Sequence, residues 1–142
     1  MGVLTDFVVA DLADAQKVCD SSAPYRDFDG LDAKGIDPVK LDTLLAVLRG
    51  EAFHPVTHNL LSSRGEEGPW VFEVPPDLVQ RLAALTAQQL EVTARQWAAT
   101  EEFSPRYDNW PLEAVQEILN ELAALSKRAV AQSKSILMWM SL

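Results

Sequence analysis

The stretch NWPLEAVQEILNELAALSKRAVAQSKSILMWMSL, residues 109–142, decides the fold. Between Pro111 and Ala131 the large apolar residues are Leu112, Val115, Ile118, Leu119, Leu122, Leu125 and Val130. Steps of three and four place most of them on one face of a 3.6-residue helix. Glu113, Gln116, Glu117, Asn120, Glu121, Lys127 and Arg128 fall on the remaining, solvent-facing side. Asn109 has the chemistry of an N-cap, and Pro111 suits a first turn because its missing N–H would be unpaired there anyway. Beyond Lys134 the pattern changes to Ile136-Leu-Met-Trp-Met140, apolar at every position. That suits a strand buried on both faces.

Working outward, the 142 residues suit one globular domain with a sizeable core. The 48% apolar and 23% charged residues are ordinary for a folded chain. No apolar run approaches a membrane span, and the N-terminus lacks a basic region followed by an apolar core. Asp6 stands where a myristoylation signal needs Ser or Thr. Cys19 is the single cysteine, so no intrachain disulfide forms and the cytoplasm is the expected compartment. The net charge of −9 argues against nucleic acid, whose phosphates need clustered Lys and Arg. The acid is uneven: residues 1–42 and 91–121 each carry a net −5. Such clusters keep a surface solvated, and they also suit a basic partner.

Toward the N-terminus, Val3–Val9 reads as a strand, and Asp11 should cap a helix to about Asp20 with Ala15, Val18 and Cys19 inward. Ser21–Asp29 should be a surface loop, and the two glycines of Gly30–Ile36 weaken it as a strand. Asp37-Pro38 opens a helix that Gly50 stops. Glu51–Gly68 is the least regular part. Pro69–Val74 reads as a strand, Asp77 as the cap of a third helix, and Thr86 as the cap of a fourth over Ala87–Thr100, with Leu90, Ala94 and Trp97 inward. Strands and helices without a regular βαβ rhythm indicate an α+β fold. The expectation is a small mixed sheet, built from the two chain ends, under several amphipathic helices.

The order of these elements carries a family resemblance. An N-terminal Met-Gly strand and a helix precede an Ala-Phe-His-Pro turn at Ala52–Pro55. A two-helix segment over Leu78–Leu90, a long helix and a terminal apolar strand then follow. The chain resembles the YfbM-like family of small bacterial proteins, which implies an α+β fold and, as its members are uncharacterised, carries over no catalytic residue.

Few residues suggest chemistry. His54 and His58 have the i, i+4 spacing of paired metal ligands, but Pro55 lies between them and no third ligand has an evident place, so no metal is expected. Cys19 lies among acids rather than beside a base, the setting of an inert core thiol. No glycine-rich phosphate loop or nucleophile elbow is present, and no cofactor is expected.

The densest constellation is Trp97, Glu101, Glu102, Phe103, Tyr107, Asp108 and Trp110, acids and aromatics in a link between two helices. These aromatics have the chemistry of core plugs, or else of a pocket for a cationic or amide-bearing ligand. Glu113, Glu117 and Glu121, four apart, form a ladder on the helix side away from Leu122 and Leu125.

Two functions follow as expectations. The first is a non-enzymatic interaction protein, of adaptor or immunity type, that binds a basic protein partner through the ladder. The alternative is a small-molecule binder or enzyme built on residues 97–110, with His54 or His58 as helpers. Neither involves nucleic acid or a membrane.

Overall fold

The computed structural model describes residues 3–142; Met1 and Gly2, the Met-Gly start used in the family resemblance, lie outside the described residues. The apolar terminal stretch becomes β5, Ser135–Ser141, the middle strand of five. It pairs along its whole length with β1, Leu4–Ala10, from Leu4 opposite Ser141 to Ala10 opposite Ser135. On its other side lies β4, Trp70–Glu73. Beyond β1 is β2, Asp29–Asp32, and beyond β4 is β3, Asn59–Ser63, giving the order β2-β1-β5-β4-β3.

Every pairing is antiparallel, where a mixed sheet was expected. No pair of neighbouring strands is joined by one crossover helix, the connection on which a parallel pair depends.

Both faces of β5 are buried, which is why its sequence does not alternate. On one face Ile136, Met138 and Met140 join Phe7 and Val9 of β1 in the main core. That core is closed by Leu119, Leu122 and Leu125 of α6, Leu112–Ala131, and by Leu41 and Leu44 of α3, Pro38–Arg49. On the other face Leu137 and Trp139 pack with Val8, Val71 and the Ala15, Val18 and Cys19 side chains of α1, Ala15–Asp20. Cys19 is thus a core residue, as its acidic surroundings suggested.

The helix ends show which local signals act. Asp37 accepts the Lys40 backbone N–H at 2.9 Å, and Gly50 closes α3 in the left-handed conformation at φ 68°, where a side chain would be strained. Thr86 and Gln89 form a reciprocal capping box at the start of α5, Ala87–Ala98, which ends two residues before the expected Thr100. Asp77 does not cap its helix. Pro75 occupies the cap of α4, Pro76–Ala83, and the Asp77 carboxylate takes Arg49 at 2.7 Å and Arg81 at 3.0 Å. The Arg49 hydrogen bonds hold Asp77 below the ordinary carboxylate value of 3.8. Asn109 likewise is not the cap of α6. It takes a left-handed turn conformation at φ 50°, and Pro111 sits at the cap. Asp11 makes no side-chain cap bond.

Two irregular stretches hold structure. Ser21–Asp29, expected as a loop, contains the short helix α2, Pro24–Asp27, with Pro24 buried. The Tyr25 N–H donates to the Asp6 carboxylate at 2.9 Å, tying α2 to β1. Glu51–Gly68 contains β3, whose register slips between Leu60 and Ser62.

Candidate functional site

The acids and aromatics of residues 97–110 meet a residue from elsewhere, Lys40. It lies in the first turn of α3, where a lysine ordinarily reaches solvent, yet its side chain is only 3% exposed. The ammonium donates to the Gly35 carbonyl at 2.9 Å and to the Asp108 carboxylate, with Asp37 a further 3.8 Å away. Phe103 and Trp110 form its walls, with ring centres 5.6 and 5.8 Å from Nζ. A cation held over aromatic faces gains from the ring quadrupoles.

The walls are fixed from below. Trp97 is fully buried, and its indole N–H is shared between the Lys40 carbonyl at 3.0 Å and the Thr43 hydroxyl at 3.2 Å. Its ring meets Phe103 edge-on at 5.1 Å, and Phe103 meets Trp110 at 5.2 Å. Trp110 closes the box by passing over Gly35, where a Cβ would lie 2.9 Å from the indole Cζ2. Gly35 also has φ +92°, so both space and backbone require glycine there. The aromatic and acidic residues therefore enclose a cation, and the cation is the chain's own.

Glu101 and Glu102 belong to a different place. With Glu51, Phe53, Thr43, Ala46, Val47 and Thr100 they line a groove of about 340 Å3. Phe53 is 47% exposed on its wall. Glu102 also borders a smaller groove of about 260 Å3, shared with Asp37, Val39, Lys40, Tyr107 and Asp108. Arg106 approaches Glu101 only to 3.9 Å, and its guanidinium lies over the Tyr107 ring.

The histidines line neither groove. His58 Nε2 lies 2.8 Å from Asp42 Oδ1, and the other oxygen of that buried carboxylate accepts the Val56 N–H at 3.2 Å. His54 is exposed. Among the described residues no group of three His, Cys, Asp or Glu side chains is placed to hold a metal ion.

Glu113, Glu117 and Glu121 are all exposed on α6. Among the described residues none has a lysine or arginine within salt-bridge distance. By contrast, Asp14, Asp20, Asp29 and Glu91 each have one, and Asp77 has two. Glu121 also lines a groove of about 380 Å3 with Ala124, Arg128, Gly30, Leu31 and Asp32, between α6 and β2. No described helix is long and apolar enough to cross a membrane.

Comparison with known proteins adds one likeness. The chain is similar in structure to YfbM from Escherichia coli, a protein of unknown function. The likeness spans 96% of this chain and 99% of that one, at 16% identity and a TM-score of 0.44. YfbM is the protein for which the family that the element order resembles is named. No family model matches the sequence, and no curated protein matches it.

Of the residues singled out in sequence, Asp108 and Trp110 share the Lys40 box, and Trp97 lies beneath it. Glu101, Glu102 and Tyr107 face the grooves beside it, and the ladder stands apart. Sequence reasoning missed Lys40, Gly35, Asp42 and Phe53. Lys40 and Asp108 are 68 positions apart, and no local pattern links them.

Proposed function

We propose that this chain is a non-enzymatic interaction module, of adaptor or immunity type, that works in the cytoplasm. It binds a basic protein partner through Glu113, Glu117 and Glu121. The observation that carries the reading is that these three exposed carboxylates, four apart on one helix, all lack a lysine or arginine within salt-bridge distance among the described residues, while eight other acids of the surface have one. Like charges four apart oppose a helix by about 0.2–0.5 kcal/mol per pair, and the helix dipole offsets this only within the first turn. Glu117→Gln is therefore expected to stabilise the free protein slightly. It should also weaken a basic partner and flatten the salt dependence of binding, because one charge pair is lost. Low-salt pull-down followed by titration of both forms tests this. A partner held equally well by both, with one salt slope, would leave the ladder a solvated face.

A second reading rests on the groove of Glu51, Phe53, Glu101 and Glu102. Its apolar floor, exposed phenyl ring and three carboxylates suit a small organic cation. Calorimetric titration with tetramethylammonium and with guanidinium tests that reading. Saturable heat that disappears in Phe53→Ala would favour it, and no heat would remove it.

A further inference from the structure

The unpaired acid of α6 meets an open sheet edge at β2, which has a neighbour on one side only. The Ala33 N–H donates to the Thr5 carbonyl at 2.8 Å, and bonded pairs alternate along an antiparallel ladder. Leu31 and Asp29 therefore exchange their bonds with Phe7 and Val9, their partners in register. The N–H and C=O groups of Gly30 and Asp32 point away from the sheet. Among the described residues these groups have no partner. The groove under α6 runs beside this edge, with Glu121 on its wall and Asp32 on its rim. Its one cation, Arg128, is already held by Asp29 through two bonds of 2.9 and 3.0 Å.

We propose that the β2 edge accepts an extended basic segment of a partner protein as a sixth strand. Its backbone pairs with Gly30 and Asp32, and its lysine or arginine side chains reach Glu121 and Asp32. The inference rests on the ladder reading and deepens it by naming the form of the partner. Side chains of a strand alternate between faces, so one set turns toward Glu121 and the other toward Asp32. Backbone pairing supplies affinity and the side chains supply selectivity, as in other strand additions. A second copy of this chain is a poor occupant, because its own β2 would set Asp29 and Asp32 against the same two acids. A short acidic edge blocks self-pairing while matching a strand of opposite sign.

The test uses a blocked hexapeptide of alternating lysine and valine, titrated into the full chain with amide hydrogen exchange as readout. Saturation should slow exchange at Gly30 and Asp32 by about tenfold or more. The same peptide with alternate backbone nitrogens methylated should bind without that protection or not at all. Glu121→Gln should weaken binding by about two- to fivefold, the scale of one exposed charge pair. Binding that leaves the two amides unprotected but still falls in Glu117→Gln and Glu121→Gln would overturn the strand and leave the ladder reading standing. Protected amides with indifference to both substitutions would support the strand and remove the ladder. Absence of saturable binding overturns the proposal. So does protection that grows with protein concentration alone, which would make the occupant a second copy.

Discussion

Lys40 and Asp108 should respond unequally to substitution. Lys40→Met removes the ammonium and keeps most of the side-chain volume. It gives up charge-assisted bonds to Asp108 and Gly35, about 1.5–3 kcal/mol each, and contacts with two rings worth about 0.5–1 kcal/mol each. Against these losses stands relief of the several kcal/mol needed to dehydrate a buried ion. The Asp108 side chain is 51% exposed and regains water, so the uncompensated residue is chiefly the Gly35 carbonyl. A net loss of about 1–2 kcal/mol is expected. Asp108→Ala instead leaves the cation at 3% exposure with the Gly35 carbonyl, two rings and, as its one nearby carboxylate among the described residues, Asp37 at 3.8 Å. Removing one partner of a buried pair costs about 3–5 kcal/mol, and with Asp37 present about 2–4 is expected here. The double variant should cost less than the sum, since the stranded charge is gone. Urea unfolding followed by tryptophan fluorescence reads this directly, because Trp97 and Trp110 report from the box. A neutral Asp108→Ala, or equal costs for the two single variants, would refute the claim that this carboxylate holds a buried cation.

Three further outcomes are expected. Deleting residues 136–142 removes five buried side chains from the central strand, about 8–15 kcal/mol in all against a usual total of about 5–15; a truncated chain that kept its cooperative melt would contradict the central placement of β5. Burial, more than the neighbouring Asp32, pushes the Asp6 carboxyl above its ordinary 3.8, so its contribution to stability is full below that pH and is lost as pH rises through the folded value. Asp6→Asn should therefore melt higher than the parent at neutral pH, with the gain gone by about pH 3, and a gain that persisted in acid would show a different cause. Thr86→Ala should cost about 1 kcal/mol by breaking the capping box, and urea midpoints at unchanged slope measure it.

Local signals were legible wherever one turn of chain carries them. The apolar stripe of α6, the Asp37-Pro38 and Gly50 ends of α3, and the Thr86 cap each act within about four residues. The continuous apolar run of β5 marked a strand buried on both faces, and the sheet places it in the middle. Signals that depend on distant partners were not legible. Pro24 ends up buried because α2 folds against β1, and β3 was hidden by a slipped register and an exposed Leu60. Asp77 and Asn109 have the chemistry of caps, but Arg49 claims the first and the left-handed turn before Trp110 the second. The candidate site divides in the same way. Its acids and aromatics stand close in sequence, whereas Lys40, which organises them, comes from another helix.

The internal cation changes which acids are left for a partner. Residues 91–121 hold seven carboxylates. Glu91 pairs with Arg95, Glu101 approaches Arg106, and Asp108 holds Lys40, which leaves Glu102, Glu113, Glu117 and Glu121. The aromatic rings that would have received a small cation are already turned toward Lys40. A ligand at this end must use Glu51, Glu102 and the exposed face of Phe53, a single ring without a second aromatic beside it in the groove. A partner along α6 meets three carboxylates spaced about 6 Å apart by the helix rise, the last of which, Glu121, borders the groove beside an edge whose backbone groups are unsatisfied. Dense, unpaired charge against open hydrogen-bonding groups gives a basic strand both of the contacts it needs, whereas the Phe53 groove gives a cation only one aromatic wall. That difference is why the macromolecular reading ranks above the small-molecule one, and Glu121→Gln against Phe53→Ala is the pair of substitutions that separates them.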